Sequence, residues 1–279
     1  CARREMADAA MSGYHDHPAA SASRLKAALT LTGRGYWARH EDPNRAPFVR
    51  TDAMRQGSLV DLLLTRSDQF DQVYAVVGDA RTKEGKAIRA AALEQGLEPI
   101  SADWLENASR IRDTLLSDPH AGPILRDSMA TSQQPHFWTD AQGRECRYLP
   151  DVETSAGGLW DLKKARSASR RAVINQSYQL AYDLQMAHYA VGFTDRHGAA
   201  PTVAGLICYE WDHPHDCAVL EATPELLAMG RERREAAFAR IAEWRDAGDW
   251  RSYGRSTWEP PAWRTNGASE PDTTSIELF

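Results

Sequence analysis

Apolar residues fall at helical spacing in several stretches of this chain and alternate in others. Residues 24–29 follow Ser21-Ala22-Ser23, a serine-capped helix start. Over 51–65, Met54, Val60, Leu63 and Leu64 supply an apolar helix face. A short extended run at 72–77 precedes a helix start at Arg81-Thr82-Lys83-Glu84-Gly85-Lys86. Residues 101–117 form an amphipathic helix with Ser101 as cap and Trp104, Ile111, Leu115 and Leu116 inward, and 119–125 adds a short helical piece. Three strand-like runs follow, 134–139, 144–151 and 158–163, the first two joined by a turn at 140–143. Ser169 then opens one long helix to about 192, on which Tyr182, Gln185 and Tyr189 share a face. A buried strand is predicted at 202–211, and a hairpin loop at 213–217 leads into another at 218–222. Thr223 and Pro224 start a helix that runs to about 246. Its inner side carries Leu226, Leu227, Met229, Ala237, Phe238, Ile241 and Trp244, and Arg231, Arg233, Arg234 and Arg240 line a solvated, salt-bridged side.

At 279 residues the chain is long enough to bury most of its apolar surface. Residues 14–264 are expected to form one domain. The first thirteen residues and the polar stretch 265–279 are expected to be disordered, with Ile276-Glu277-Leu278-Phe279 as a short docking motif. No run approaches the ~20 apolar residues of a membrane span, and the first residues lack the apolar core of a signal peptide. Met6 and Met11 each suit a natural start. Four cysteines without CxxC spacing indicate a reduced, cytoplasmic protein. His213, His215 and Cys217 match no structural zinc spacing. The formal net charge of −6 argues against a protein that coats nucleic acid, and confines any DNA contact to a local surface.

The chemistry concentrates in Cys146-Arg147-Tyr148-Leu149-Pro150-Asp151 and Gly158-Leu159-Trp160-Asp161-Leu162-Lys163. Strand side chains alternate, so Asp161 and Lys163 point the same way. The glycine pair Gly157-Gly158 allows a turn that makes Asp151 and Asp161 neighbours at the strand ends. Two adjacent carboxylates repel unless a cation lies between them, and hard oxygens suit Mg²⁺ or Mn²⁺. A lysine beside them can stabilise charge on a phosphate or help activate water. An Asp-x-Lys on a solvated strand is the ordinary alternative. The apolar Leu159-Trp160 and the upstream Pro150-Asp151 weigh against it.

Pro150-Asp151 followed by Asp161-Leu162-Lys163 resembles the PD-(D/E)xK nuclease signature. From about residue 14 to 263 the chain more specifically resembles the RecE-type (exonuclease VIII) recombination exonucleases. The resemblance implies an α/β (α+β) fold with a restriction-endonuclease-like core, a central mixed sheet flanked by helices in the order α-β-β-β-α-β. It implies a Mg²⁺- or Mn²⁺-dependent exodeoxyribonuclease that degrades one strand of linear duplex 5′ to 3′. The resulting 3′ strand would pass to an annealing or recombinase partner, and the protein would work as a homo-oligomeric ring. On this likeness Asp151 and Asp161 hold the metal with the Leu162 carbonyl, and Lys163 activates water or stabilises the phosphate. Gln185 and Tyr189 match the family's Gln-x-x-x-Tyr. Gln185 would orient the water or a phosphate oxygen, and Tyr189 would face DNA or belong to the core. Asp61 stands where relatives carry a metal-proximal histidine, as a further ligand or a helix-solvating residue. Arg81, Lys83 and Lys86 match a basic element that would hold a DNA phosphate, and a solvated basic turn is the plain alternative. Leu149 replaces an arginine usual before Pro-Asp. The family's closing Trp-x-x-Tyr and Pro-x-Trp correspond to Trp250-Tyr253 and Pro261-Trp263, which would pin the C-terminal end. The four cysteines lack the C-terminal clustering of the superfamily's iron–sulfur branch, so no such cluster is expected. A catalytically impaired DNA-end-binding protein of the same fold, and an endonucleolytic or RecB-like nuclease, remain as alternatives.

Overall fold

Capping hydroxyls mark most of the helix starts. Ser21, Thr32, Thr51, Thr82, Ser101 and Thr223 each accept an N–H from the first helical turn beyond them, satisfying a donor the helix itself cannot. The computed structural model describes Tyr14, residues 17–78 and residues 81–255. The disorder expected for 1–13 and 265–279, and the pinning role expected of Pro261 and Trp263, lie outside those residues.

In chain order the described elements begin with α1 (Ala22–Thr30), α2 (Gly33–His40), α3 (Asp52–Thr65), α4 (Phe70–Val73), β1 (Tyr74–Val77), α5 (Lys83–Glu94) and β2 (Glu98–Ser101). Then come α6 (Ala102–Ser117), α7 (Ala121–Arg126), β3 (His136–Thr139), β4 (Glu145–Tyr148), β5 (Val152–Glu153) and β6 (Gly158–Ala165). The last are α8 (Arg170–Gln179), α9 (Tyr182–His197), β7 (Val203–Glu210), β8 (Cys217–Glu221) and α10 (Pro224–Ala247).

The main sheet has the order β5-β6-β7-β8 and is mixed. β6 and β7 run parallel, from Gly158 opposite Val203 to Ala165 opposite Glu210, and their crossover contains α8 and α9. β5 and β8 pair antiparallel at the two edges. Alternation along β6 and β7 sorts side chains into two layers. Trp160, Leu162, Ile207 and Tyr209 pack with Leu59, Val60 and Leu63 of α3 and Ile111 and Leu115 of α6. Leu159, Leu206 and Cys208 pack on the opposite face with Met186 and Phe193 of α9. A third cluster joins Leu25 of α1, Tyr36 of α2, Leu184 of α9 and Ile241 of α10. β1 and β2 form a separate parallel pair on which α5 lies, and β3 and β4 form a separate hairpin.

Several expectations differ from the structure. The run 144–151 is not one strand. β4 pairs with β3, the chain bends through Leu149-Pro150-Asp151, and only Val152–Glu153 joins β6. Pro150 has no N–H to give a ladder. The helix expected from Ser169 to 192 is two helices, because Ala181 adopts φ 51° between them, and it continues to His197. The Ser169 side chain makes no cap bond. On α10 the buried positions are Gly230, Arg234, Ala237 and Ile241, whereas Leu226 and Met229 are exposed. Gly230 lies so close to α9 that a Cβ there would stand 2.1 Å from the Asp183 carbonyl oxygen. Arg234, expected in solvent, donates to Asp140 (2.8 Å), Glu235 (2.6 Å) and His188 Nδ1 (3.2 Å). Finally, Trp250 packs against Tyr36 and Trp244, but Tyr253 is exposed rather than pinning the end. Among the described residues no helix is long and apolar enough to cross a membrane.

Candidate active site

The ladder between β5 and β6 stops early, and the site begins there. The last paired residue on the β6 side is Trp160, opposite Val152. Two positions on, the Leu162 N–H faces the same edge with no strand opposite it, and the Asp151 carboxylate takes it at 2.7 Å. The N–H and C=O of one strand residue point to the same side, so the Leu162 carbonyl is turned to the edge that Asp151 occupies. Gln133 Nε2 donates to the other Asp151 oxygen at 3.3 Å. The bend at Pro150 therefore brings Asp151 to β6 by substituting a carboxylate for a strand.

One face of β6 presents Asp161 and Lys163, side by side as the alternation requires. Asp161 is 2% exposed. Its Oδ2 forms an ion pair with Lys163 Nζ, and its Oδ1 accepts from Gln185 Nε2 at 2.7 Å. Asp151, Asp161, Lys163 and Gln185 are thus joined through β6, as their order in the sequence suggested. They are not splayed across the sheet, and both Asp161 oxygens are engaged, one by Lys163 and one by Gln185.

Burial and mutual repulsion set the charges. Burial raises the Asp151 carboxyl well above its usual range, and Asp161 and Asp61 raise it further. Burial likewise pushes Asp61 up to about 7, with Lys163 opposing and Asp161 reinforcing the shift. These influences place Asp61, on α3, within electrostatic reach of the group. Burial works against the Lys163 charge, but Asp161 and Asp151 outweigh it and hold its pKa above the ordinary lysine value. Lys163 is therefore a cation at neutral pH, suited to stabilising negative charge and not to accepting a proton.

Tyr189 is half-buried and packs on Tyr148 with ring centroids 5.5 Å apart. Burial raises its pKa well above the usual value. It belongs beside Gln185, within the packed layer. Arg81, Lys83 and Lys86 are exposed at the start of α5, on the separate β1–β2 unit.

Lys26 is a site neighbour that sequence patterning does not single out. It reaches from α1 to Gln185, 159 positions away, and its ammonium contacts Gln185 Oε1. Lys26 Nζ lies 4.8 Å and Lys163 Nζ 5.1 Å from the centre of the same Tyr182 ring. Burial, and then Lys163, lower its pKa to about 7. No local pattern distinguishes Lys26 from any other lysine on an N-terminal helix.

Among the described residues no three His, Cys, Asp or Glu side chains converge as a ready-made metal cage. The donor set nevertheless fits a hard divalent cation. Asp151 and the Leu162 carbonyl supply oxygens at the edge of β6 and Asp161 supplies them on its face, and burial together with neighbouring carboxylates raises Asp151 and Asp61, a cost that a cation would relieve. His213, His215 and Cys217 lie at a hairpin, as expected.

A family profile described as "PDDEXK-like domain of unknown function (DUF3799)" matches residues 21–254. The chain belongs to this family. Its matched span contains Lys26, Asp61, Asp151, Asp161, Lys163 and Gln185. Among solved structures, the chain is similar to a crystal structure of a candidate exonuclease from Eubacterium rectale. The TM-score is 0.64 at 14% identity, over 95% of this chain and 96% of that one. At that identity the likeness shows the fold. No curated protein matches the chain. Fold and family are those of the PD-(D/E)xK nucleases, which generally use divalent metals.

Proposed function

We propose that this PD-(D/E)xK protein is a Mg²⁺- or Mn²⁺-dependent exodeoxyribonuclease of the RecE type. It degrades one strand of linear duplex DNA 5′ to 3′ and leaves a 3′ single strand for an annealing or recombinase protein. The reading rests on one observation above all: Asp151 takes the Leu162 N–H between Asp161 and Lys163, which pair on the adjoining face of β6, in a chain of this family.

Asp151, Asp161 and the Leu162 carbonyl would hold the metal, with Asp61 as a further ligand. A bound divalent ion supplies Lewis-acid stabilisation of phosphoryl oxygens and makes water more acidic. Lys163, fixed as a cation, stabilises the charge that builds on the phosphate in the transition state. Gln185 orients Asp161 through its amide. Arg81, Lys83 and Lys86 hold a phosphate of the DNA away from the reacting centre, helped by the exposed amides at the start of α5. Assembly into a ring around DNA would keep the enzyme on its substrate.

The test uses linear duplex, labelled at either the 5′ or the 3′ end, and closed circular duplex of the same sequence, each with Mg²⁺. The expected result is early release of the 5′ label, late retention of the 3′ strand and an intact circle. Cleavage of the circle would favour an endonuclease. Linear DNA shifted on a gel yet intact, with wild type and Asp161→Ala alike, would favour an end-binding protein.

A further inference from the structure

Lys26 is half-buried, and its Nζ makes one polar contact of consequence, with Gln185 Oε1, that constrains its neighbour. An ammonium only donates, so it must meet the carbonyl end of the Gln185 amide. The NH₂ end is then left for Asp161 Oδ1, where it donates at 2.7 Å. Were the amide turned over, its carbonyl oxygen would face the Asp161 carboxylate and its NH₂ would face Lys26. Both contacts would be repulsive. Lys26 and Lys163 both approach the Tyr182 ring, and the chain Lys26–Gln185–Asp161–Lys163 has a single consistent set of donors and acceptors.

We propose that Lys26 is a positioning residue of this site: by holding Gln185 Oε1 it fixes the Gln185 amide, and through it the orientation in which Asp161 offers its second oxygen to Lys163 and to a cation. The effect on turnover rests on the nuclease reading above; the effect on Gln185 does not.

Two measurements separate these parts. The first is the ¹⁵N side-chain amide spectrum of the DNA-free, metal-free protein, with the Gln185 signal assigned by its loss in Gln185→Leu. In wild type the Gln185 NH₂ pair should be displaced from the free-glutamine position and protected from exchange. In Lys26→Met it should move back towards that position and lose protection, while Lys26→Arg retains most of both. An unchanged Gln185 signal in Lys26→Met overturns the proposal, whether or not the protein cleaves DNA. The second is Mg²⁺-dependent turnover of linear duplex, for variants whose melting temperature matches wild type. Lys26→Met should lose roughly 10–100-fold in kcat, the usual effect of removing a partner that orients a ligand, with KM for duplex little changed. Lys26→Met/Gln185→Leu should be no worse than the weaker single variant, because both act through one contact. Wild-type kcat in Lys26→Met, or losses that multiply in the double variant, would overturn it. If wild type itself fails to cleave, the nuclease reading falls and the spectrum alone decides for Lys26.

Discussion

Lys163 keeps its charge although it is surrounded by protein, because two carboxylates hold it there. Replacing it with Met removes the cation while preserving the length of the side chain. Turnover of linear duplex in Mg²⁺ should fall by about 10²–10³-fold with folding intact, the size expected for one lost transition-state stabiliser. His188 shows the opposite balance. It is fully buried, accepts from Arg234 at Nδ1 and donates from Nε2 to the Arg147 carbonyl at 3.0 Å. Burial, then the Arg234 charge, push its pKa down from 6.5 to about 3. Between those values the unfolded chain binds a proton that the folded one refuses, so stability from this residue is present above pH 6.5 and is lost as pH falls towards 3. The slope is roughly 1.4 kcal/mol per pH unit. Urea midpoints measured from pH 7 to pH 4 should drop steeply in wild type and less steeply in His188→Gln. An equal slope in both would contradict the assignment. At this scale the sequence pointed to Asp161, Lys163 and Gln185 as candidates because each sits at a spacing that β6 or α9 turns into direction, and to Asp151 through the Pro150-Asp151 pair. It did not reveal Lys26 or the buried state of Arg234. Lys26 meets Gln185 across 159 positions, and Arg234 meets Asp140 across 94, and such contacts leave no local period.

α9 and α10 lie against each other with a glycine at the closest point. Gly230→Ala would push a methyl group into the Asp183 carbonyl and against Ala187. Backbone cannot yield as a flexible side chain does, so the change should destabilise the fold by about 1–3 kcal/mol or more, read as a lower urea midpoint. An unchanged midpoint would mean that the helices are farther apart. Most element starts were legible, because hydroxyl caps such as Ser21, Ser101 and Thr223 carry a local mechanism. The break at Ala181 was not, since nothing around it is glycine or proline and a left-handed alanine is imposed by tertiary packing. The bend at Pro150 was half legible. The proline announces a break in a ladder, but the use of Asp151 in place of the missing strand depends on β6 being alongside.

As a whole the molecule is acidic, at −6, so any hold on DNA has to be local. The exposed basic start of α5 is the place the proposal assigns to it. Lys83→Ala/Lys86→Ala should raise KM for linear duplex and leave kcat near wild type. It should also flatten the dependence of log affinity on log salt by about 1–2, at ~0.9 for each lost phosphate contact on duplex DNA. An unaltered salt slope would place the DNA elsewhere. The match to the family over residues 21–254 agrees with the breadth of the likeness read from the sequence. The assignment to the RecE type, the polarity and the ring are further steps that the proposal makes.

The central claim is that Asp151, Asp161 and Lys163 form a metal-dependent site for phosphodiester hydrolysis. Its most direct measurement is the release of acid-soluble nucleotides from linear duplex, in Mg²⁺ and in EDTA, by wild type and by Asp161→Ala of equal melting temperature. The account requires release by wild type in Mg²⁺ alone, with none by wild type in EDTA and none by the variant. Equal release by wild type and Asp161→Ala, or release that persists in EDTA, would contradict it.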